Sequence, residues 1–152
     1  MNSKPDKLVP AVIGGAIIGV VSSIPILNFV NCFCCAGIIV GGFFAVYFYN
    51  KNLVDTPLSY NDGALLGLLA GIFGLVISTI LEQIIGINSA EMIEQMMEYA
   101  EDIPPETEEF LRGLLENKQG FFMLELAMGL VINAVFGLLG GIIGVAVLKK
   151  KK

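Results

Sequence analysis

LVPAVIGGAIIGVVSSIPILNFVNCFCCAGIIVGGFFAVYFY, residues 8 to 49, runs for 42 positions without a charged side chain. A break at Asn28 divides it into halves of about 20 residues, and at ~1.5 Å of rise per residue each half spans the ~30 Å hydrocarbon layer of a bilayer. The stretch reads as a membrane-spanning helical hairpin. Pro10 falls in the first helical turn, where its missing N–H costs nothing. Pro25 ends or kinks the first helix, Asn28 and Asn31 supply polar groups for the turn, and the hydroxyls of Tyr47 and Tyr49 suit the opposite interface.

Outward from this hairpin, residues 50–62 (NKNLVDTPLSYND) read as a polar connector. A third span covers 63–87, interrupted by Glu82 and Gln83, and a fourth covers 121–148, stopped by Lys149 to Lys152. With the first two spans at 8–27 and 29–49, the expected fold is all-α: an integral membrane four-helix bundle in which residues 1–152 form one transmembrane domain. Composition agrees, with 55% hydrophobic and 15% charged residues against about 25% charged in soluble domains. Lys4 and Lys7 precede an apolar stretch as in a secretory signal, but no small-x-small cleavage site follows, so an uncleaved first span is expected.

Between the third and fourth spans, residues 88–120 form an acidic amphipathic insertion with two helical halves separated by Pro104-Pro105. Asn88 and Glu91 make a capping box; Met92, Ile93, Met96, Met97 and Ala100 repeat at helical spacing, as do Phe110, Leu111, Leu114 and Leu115. Both halves are expected to lie on the bilayer surface or to cap the bundle. Nine carboxylates against Arg112 and Lys118 give the segment a net charge of −7. Lys4, Lys7, Lys51 and Lys149 to Lys152 gather on the opposite side, which places both termini in the cytoplasm of a cell whose cytoplasmic membrane the chain crosses several times. The lysine tail would attract anionic lipid at roughly 1 kcal/mol per cation.

Apolar side chains gain little by leaving lipid for one another, so span association depends on small residues that let backbones approach. Every span carries them at fourth positions: Ala11, Gly15, Gly19 and Ser23; Gly37, Gly41 and Ala45; Gly63, Gly67 and Gly71 beside Ala70, Gly74 and Ser78; Gly129, Gly137 and Gly141 beside Gly140 and Gly144. This glycine-zipper pattern points to tight helix packing and to a homo-oligomer or membrane partner. IGGAIIGV in the first span echoes LGGIIGV in the fourth, as an old duplication or Gly/Ile-rich composition would produce.

Two constellations invite chemistry. The small-residue row Ala70, Gly74, Ser78 continues to Glu82, and the row Gly137, Asn133, Gly129 extends to Glu125, so two carboxylates and one amide form a candidate proton or cation site. The plainer reading has both glutamates reaching water at the span ends, with Asn133 as interhelical glue. Cys32, Cys34 and Cys35 form a candidate thiol cluster for redox or soft-metal chemistry, against the plainer reading of small residues packed at a helix start. Histidine is absent and no fourth cysteine exists, so structural zinc is excluded and no metal or cofactor is expected. No nucleotide loop, nucleophile elbow or HExxH appears, and nothing favours nucleic acid or enzymatic activity.

The run Ile24-Pro25-x-Leu27-Asn28-x-x-Asn31-Cys32-x-Cys34-Cys35, followed by Gly41-Gly42 and Ala45, resembles a pattern in small prokaryotic multi-span membrane proteins of unassigned function. The resemblance covers the first third of the chain and implies architecture alone. Three functional classes follow from the residues: a structural or assembly component, a small transporter or ion-conducting oligomer using Glu82, Glu125 and Asn133, and a membrane enzyme or redox/metal protein using the cysteines.

Overall fold

A computed structural model of the chain describes residues 5–23, 35–53, 57–86, 89–99 and 103–149, leaving aside the side chains of Ser89 and Met96. The expected turn at Pro25, Asn28 and Asn31, the thiols of Cys32 and Cys34, the capping residue Asn88, Ala100, Lys4 and Lys150 to Lys152 lie outside the described residues. The described elements are all helical: α1 Leu8–Ser23, α2 Ala36–Lys51, α3 Tyr60–Ile85, α4 Ser89–Tyr99, α5 Pro105–Glu116 and α6 Lys118–Lys149.

Two of these, α3 with 26 residues and α6 with 32, are long and apolar enough to cross a bilayer, and α1 is a shorter apolar helix. Helix α3 starts three residues ahead of the expected span because Ser59 caps it, its hydroxyl accepting the N–H of Asn61 at 3.3 Å. Cys35 precedes α2 with φ 54°, a left-handed conformation, while its carbonyl accepts from the N–H groups of Ile38 and Ile39 at 3.0 and 3.1 Å.

Which helices touch follows from where the smallest side chains lie. Helices α2 and α3 pack on one another, and α1 and α6 occupy the two grooves beside that pair. A helix in a groove must meet two neighbours at once, and adjacent residues point ~100° apart around a helix of 3.6 residues per turn. Doublets of small residues meet that demand. A Cβ on Gly14 would lie 2.7 Å from the Gly41 carbonyl oxygen of α2, whereas one on Gly15 would lie 3.0 Å from the Gly74 nitrogen of α3. Across the molecule, a Cβ on Gly140 would come 2.9 Å from Ile39 Cα of α2, and one on Gly141 would come 3.1 Å from Gly67 Cα of α3. The two echoing sequences, IGGAIIGV and LGGIIGV, therefore solve one packing problem twice. Gly41 and Gly42 do the same from α2, the first facing α1 and the second α6.

Large side chains fill only what the glycines leave: Tyr49, Ile18, Leu66, Val46 and Val145 are the largest fully buried ones. The outer surface is apolar, and on α6 the buried residues are Gly137, Gly140, Gly141, Gly144 and Val145, while Leu130, Val131, Val135, Leu139, Ile143 and Val147 are exposed. Glycine inside and leucine outside reverses the arrangement of a water-soluble helix packing. Tyr49 is completely buried against the other helices, and Tyr47 is 43% exposed.

Candidate functional site: an acidic cavity at one end

The seam between α3 and α6 decides where space opens. These helices run antiparallel, and three successive turns of α3 set Gly63, Gly67 and Gly71 against the backbone of Gly141, Gly137 and Asn133. One turn further the glycine on α3 is replaced by Leu75, whose Cδ1 lies 2.9 Å from the Cβ position of Gly129. The following turn would bring Thr79 opposite Glu125. From Leu75 onward side chains separate the helices, and a cavity of about 770 Å³ opens between them.

Each wall has its own chemistry. Helix α3 contributes Ser78, Thr79, Glu82 and Gln83; α6 contributes Phe121, Phe122, Glu125 and Asn133. Glu91 and Glu94 of α4 and Lys118 also line it, as do Cys35 and Ser22 from the α1–α2 side. Glu82, Glu125 and Asn133, the three residues singled out by spacing, thus share one wall space, and the two carboxylates are near enough for their charges to act on each other. They reach it by different routes. The row Ala70, Gly74, Ser78 leading to Glu82 packs on α1, where a Cβ on Gly74 would lie 2.7 Å from Ile18 Cβ, and α6 is met by the neighbouring glycine row instead.

Most polar groups on these walls accept hydrogen bonds. Ser78 Oγ and Thr79 Oγ1 donate to the Leu75 carbonyl at 3.0 and 2.9 Å, so their remaining lone pairs are acceptors. Asn133 Nδ2 donates to the Gly129 carbonyl at 2.8 Å, while its Oδ1 is buried and has no hydrogen-bond partner among the described residues. A buried acceptor left unpaired costs about 1–3 kcal/mol.

A second cleft of about 440 Å³ lies between α4 and α5, lined by Glu94, Glu98, Glu108, Arg112 and Leu115. Glu94 and Leu115 belong to both spaces, so acidic groups continue from the outer helices into the larger cavity. Arg112 is held by Glu108 at 2.8 Å, an exposed pair one turn apart. No three His, Cys, Asp or Glu side chains among the described residues are grouped to hold a metal ion.

Two cationic contacts tie the helices at the opposite end. Lys7 Nζ lies 2.7 Å from Asp62 Oδ1, with the Asp62 side chain 5% exposed, and Lys149 Nζ sits 4.6 Å above the Tyr60 ring. The start of α1, the start of α3 and the end of α6 are thereby joined at one place. Sequence spacing gave no sign of the Lys7–Asp62 pair, since Asp62 reads as part of a polar connector. The aromatic pair was legible in principle: Phe121 and Phe122 precede Glu125 by four and three positions and so share its helix face.

A family model described as the MJ1491 transmembrane domain matches residues 8–151. No curated protein and no solved structure matches the chain.

Proposed function

The chain belongs to the MJ1491 transmembrane domain family, and from that premise we propose that it is a four-helix, multi-pass protein of the cytoplasmic membrane that takes up a cation in its acidic cavity. The observation that carries this reading is the convergence of Glu82, Glu125 and Asn133 on one 770 Å³ space. Carboxylates at a span end attract cations, and the low dielectric around them strengthens that attraction. In this reading the lysine-rich sequence flanks stay in the cytoplasm, with both termini and the lipid-attracting lysine tail inside and the cavity opening outside the cell.

The paired ion lock at Lys7–Asp62 supports one-sided access, because the cavity opens away from it. In liposomes containing the purified protein, cation uptake or conductance is expected to fall at least tenfold on Glu82→Gln or Glu125→Gln while the helical content stays the same. Unaltered uptake in both variants overturns the reading.

An assembly role is the second reading, favoured by the outer helices: Met92, Tyr99 and Phe110 are 51%, 84% and 65% exposed. It expects Met92→Glu with Phe110→Glu to shift the chain to a smaller species on native gels. The small-residue rows are already occupied by contacts within the chain, so this role falls to α4 and α5.

A further inference from the structure

The cavity has more than negative charge, and its shape and linings narrow what it could take. A hard inorganic cation is held by six to eight oxygens at about 2.3–2.6 Å, which demands side chains converging on a point. Among the described residues no three acidic or thiol groups do so. The space of about 770 Å³ instead falls in the range of roughly 300–1,000 Å³ that small organic ligands occupy.

Both long helices line this space with acceptors, and α6 adds two aromatic residues beside its own. Glu82, Glu125, Thr79 and the buried Oδ1 of Asn133 offer lone pairs, and that Oδ1 has no partner among the described residues. Phe121 and Phe122, one helical turn before Glu125, bring ring surfaces to the same space. A carboxylate beside an aromatic face recognises an organic ammonium, because the ring quadrupole attracts the cation while the ring body shelters its carbon atoms. Gln83 and Lys118 add donors elsewhere on the lining, but the two carboxylates and Asn133 Oδ1 offer only lone pairs and so select for N–H groups on that cation.

We propose that the cavity bounded by Glu82, Glu125, Asn133 and Phe122 binds a protonated alkyl or aralkyl amine rather than an inorganic cation. This rests on the cation-binding reading above and names its ligand class. The ammonium sits between the two carboxylates with one N–H directed to Asn133 Oδ1, and the hydrocarbon lies against Phe121 and Phe122.

The test uses the full chain in lipid nanodiscs, with benzylammonium, its trimethylated analogue and Na⁺ as probes in equilibrium binding. Benzylammonium is expected to bind more tightly than the trimethylated analogue, which has no N–H. Glu82→Gln and Glu125→Gln should each weaken it at least tenfold, Phe122→Leu by roughly 3- to 30-fold, and Phe122→Tyr should restore it. Glu98→Gln, in the outer cleft, should leave affinity unchanged. Binding of Na⁺ without benzylammonium overturns the amine inference and leaves the cation reading standing. Absence of binding by all three probes overturns both. Equal loss in the Glu98 variant, or equal affinity for the trimethylated analogue, also overturns the inference, the first by showing diffuse attraction and the second by showing that N–H groups are not read.

Discussion

At the lysine end of the molecule backbones touch, and at the glutamate end side chains hold them apart. The two ends belong to the same helices in the same register, and the change takes place within two turns, from Gly71 to Thr79 on α3 and from Asn133 to Glu125 on α6. The difference shows what a glycine row does in a membrane helix. It fixes where helices converge, and its last member fixes where a cavity begins.

This contrast can be broken most severely within the α3–α6 seam itself. A methyl at Gly137 would meet the Gly67 carbonyl oxygen at 2.5 Å and the Gly71 Cα at 3.2 Å, groups that cannot rotate away. Gly137→Ala is therefore expected to cost about 3 kcal/mol, at the upper end of overpacking effects, read as a lowered midpoint of thermal unfolding in detergent. Gly129→Ala meets only the tip of Leu75, at 2.9 Å, and should cost less than about 1 kcal/mol. Equal losses at the two positions would mean that the helices do not separate beyond Asn133.

The ion pair sharpens the comparison next. Lys7→Met removes the ammonium held 2.7 Å from the buried Asp62 carboxylate, and an expected loss of about 3 kcal/mol follows. Asp62→Asn leaves an ammonium that can turn to water, Lys7 being 28% exposed, and should cost about 1–2 kcal/mol. The double variant should lose less than the sum, which a double-mutant cycle in the same unfolding assay measures. At the open end the effects on stability are smallest. Glu82→Gln and Glu125→Gln should change it by no more than about 0.5 kcal/mol, since both side chains border an open space rather than packed neighbours.

Much of this architecture is legible in the residues. The charge-free run from Leu8 to Tyr49, the Pro104-Pro105 break and the small residues at fourth positions announce apolar helices, an outer amphipathic segment and close packing. Membership of the family across residues 8–151 accords with the first of these. What spacing cannot give is which row meets which helix. The row ending in Glu82 packs on α1 and its neighbour on α6, two faces separated by a single residue step. The burial of Asp62 was hidden for a similar reason, since its partner Lys7 is distant in sequence. Phe121 and Phe122 read as ordinary greasy residues until Glu125 and the cavity are placed beside them.

The lock between Lys7 and Asp62 has a consequence for how the chain is made. Its two halves emerge from the ribosome 55 residues apart, with two helices synthesised between them. Only the synthesis of the third helix supplies the counter-charge for Lys7. That tie therefore waits on the third helix, and a chain cut short before position 62 would lack the carboxylate that holds Lys7.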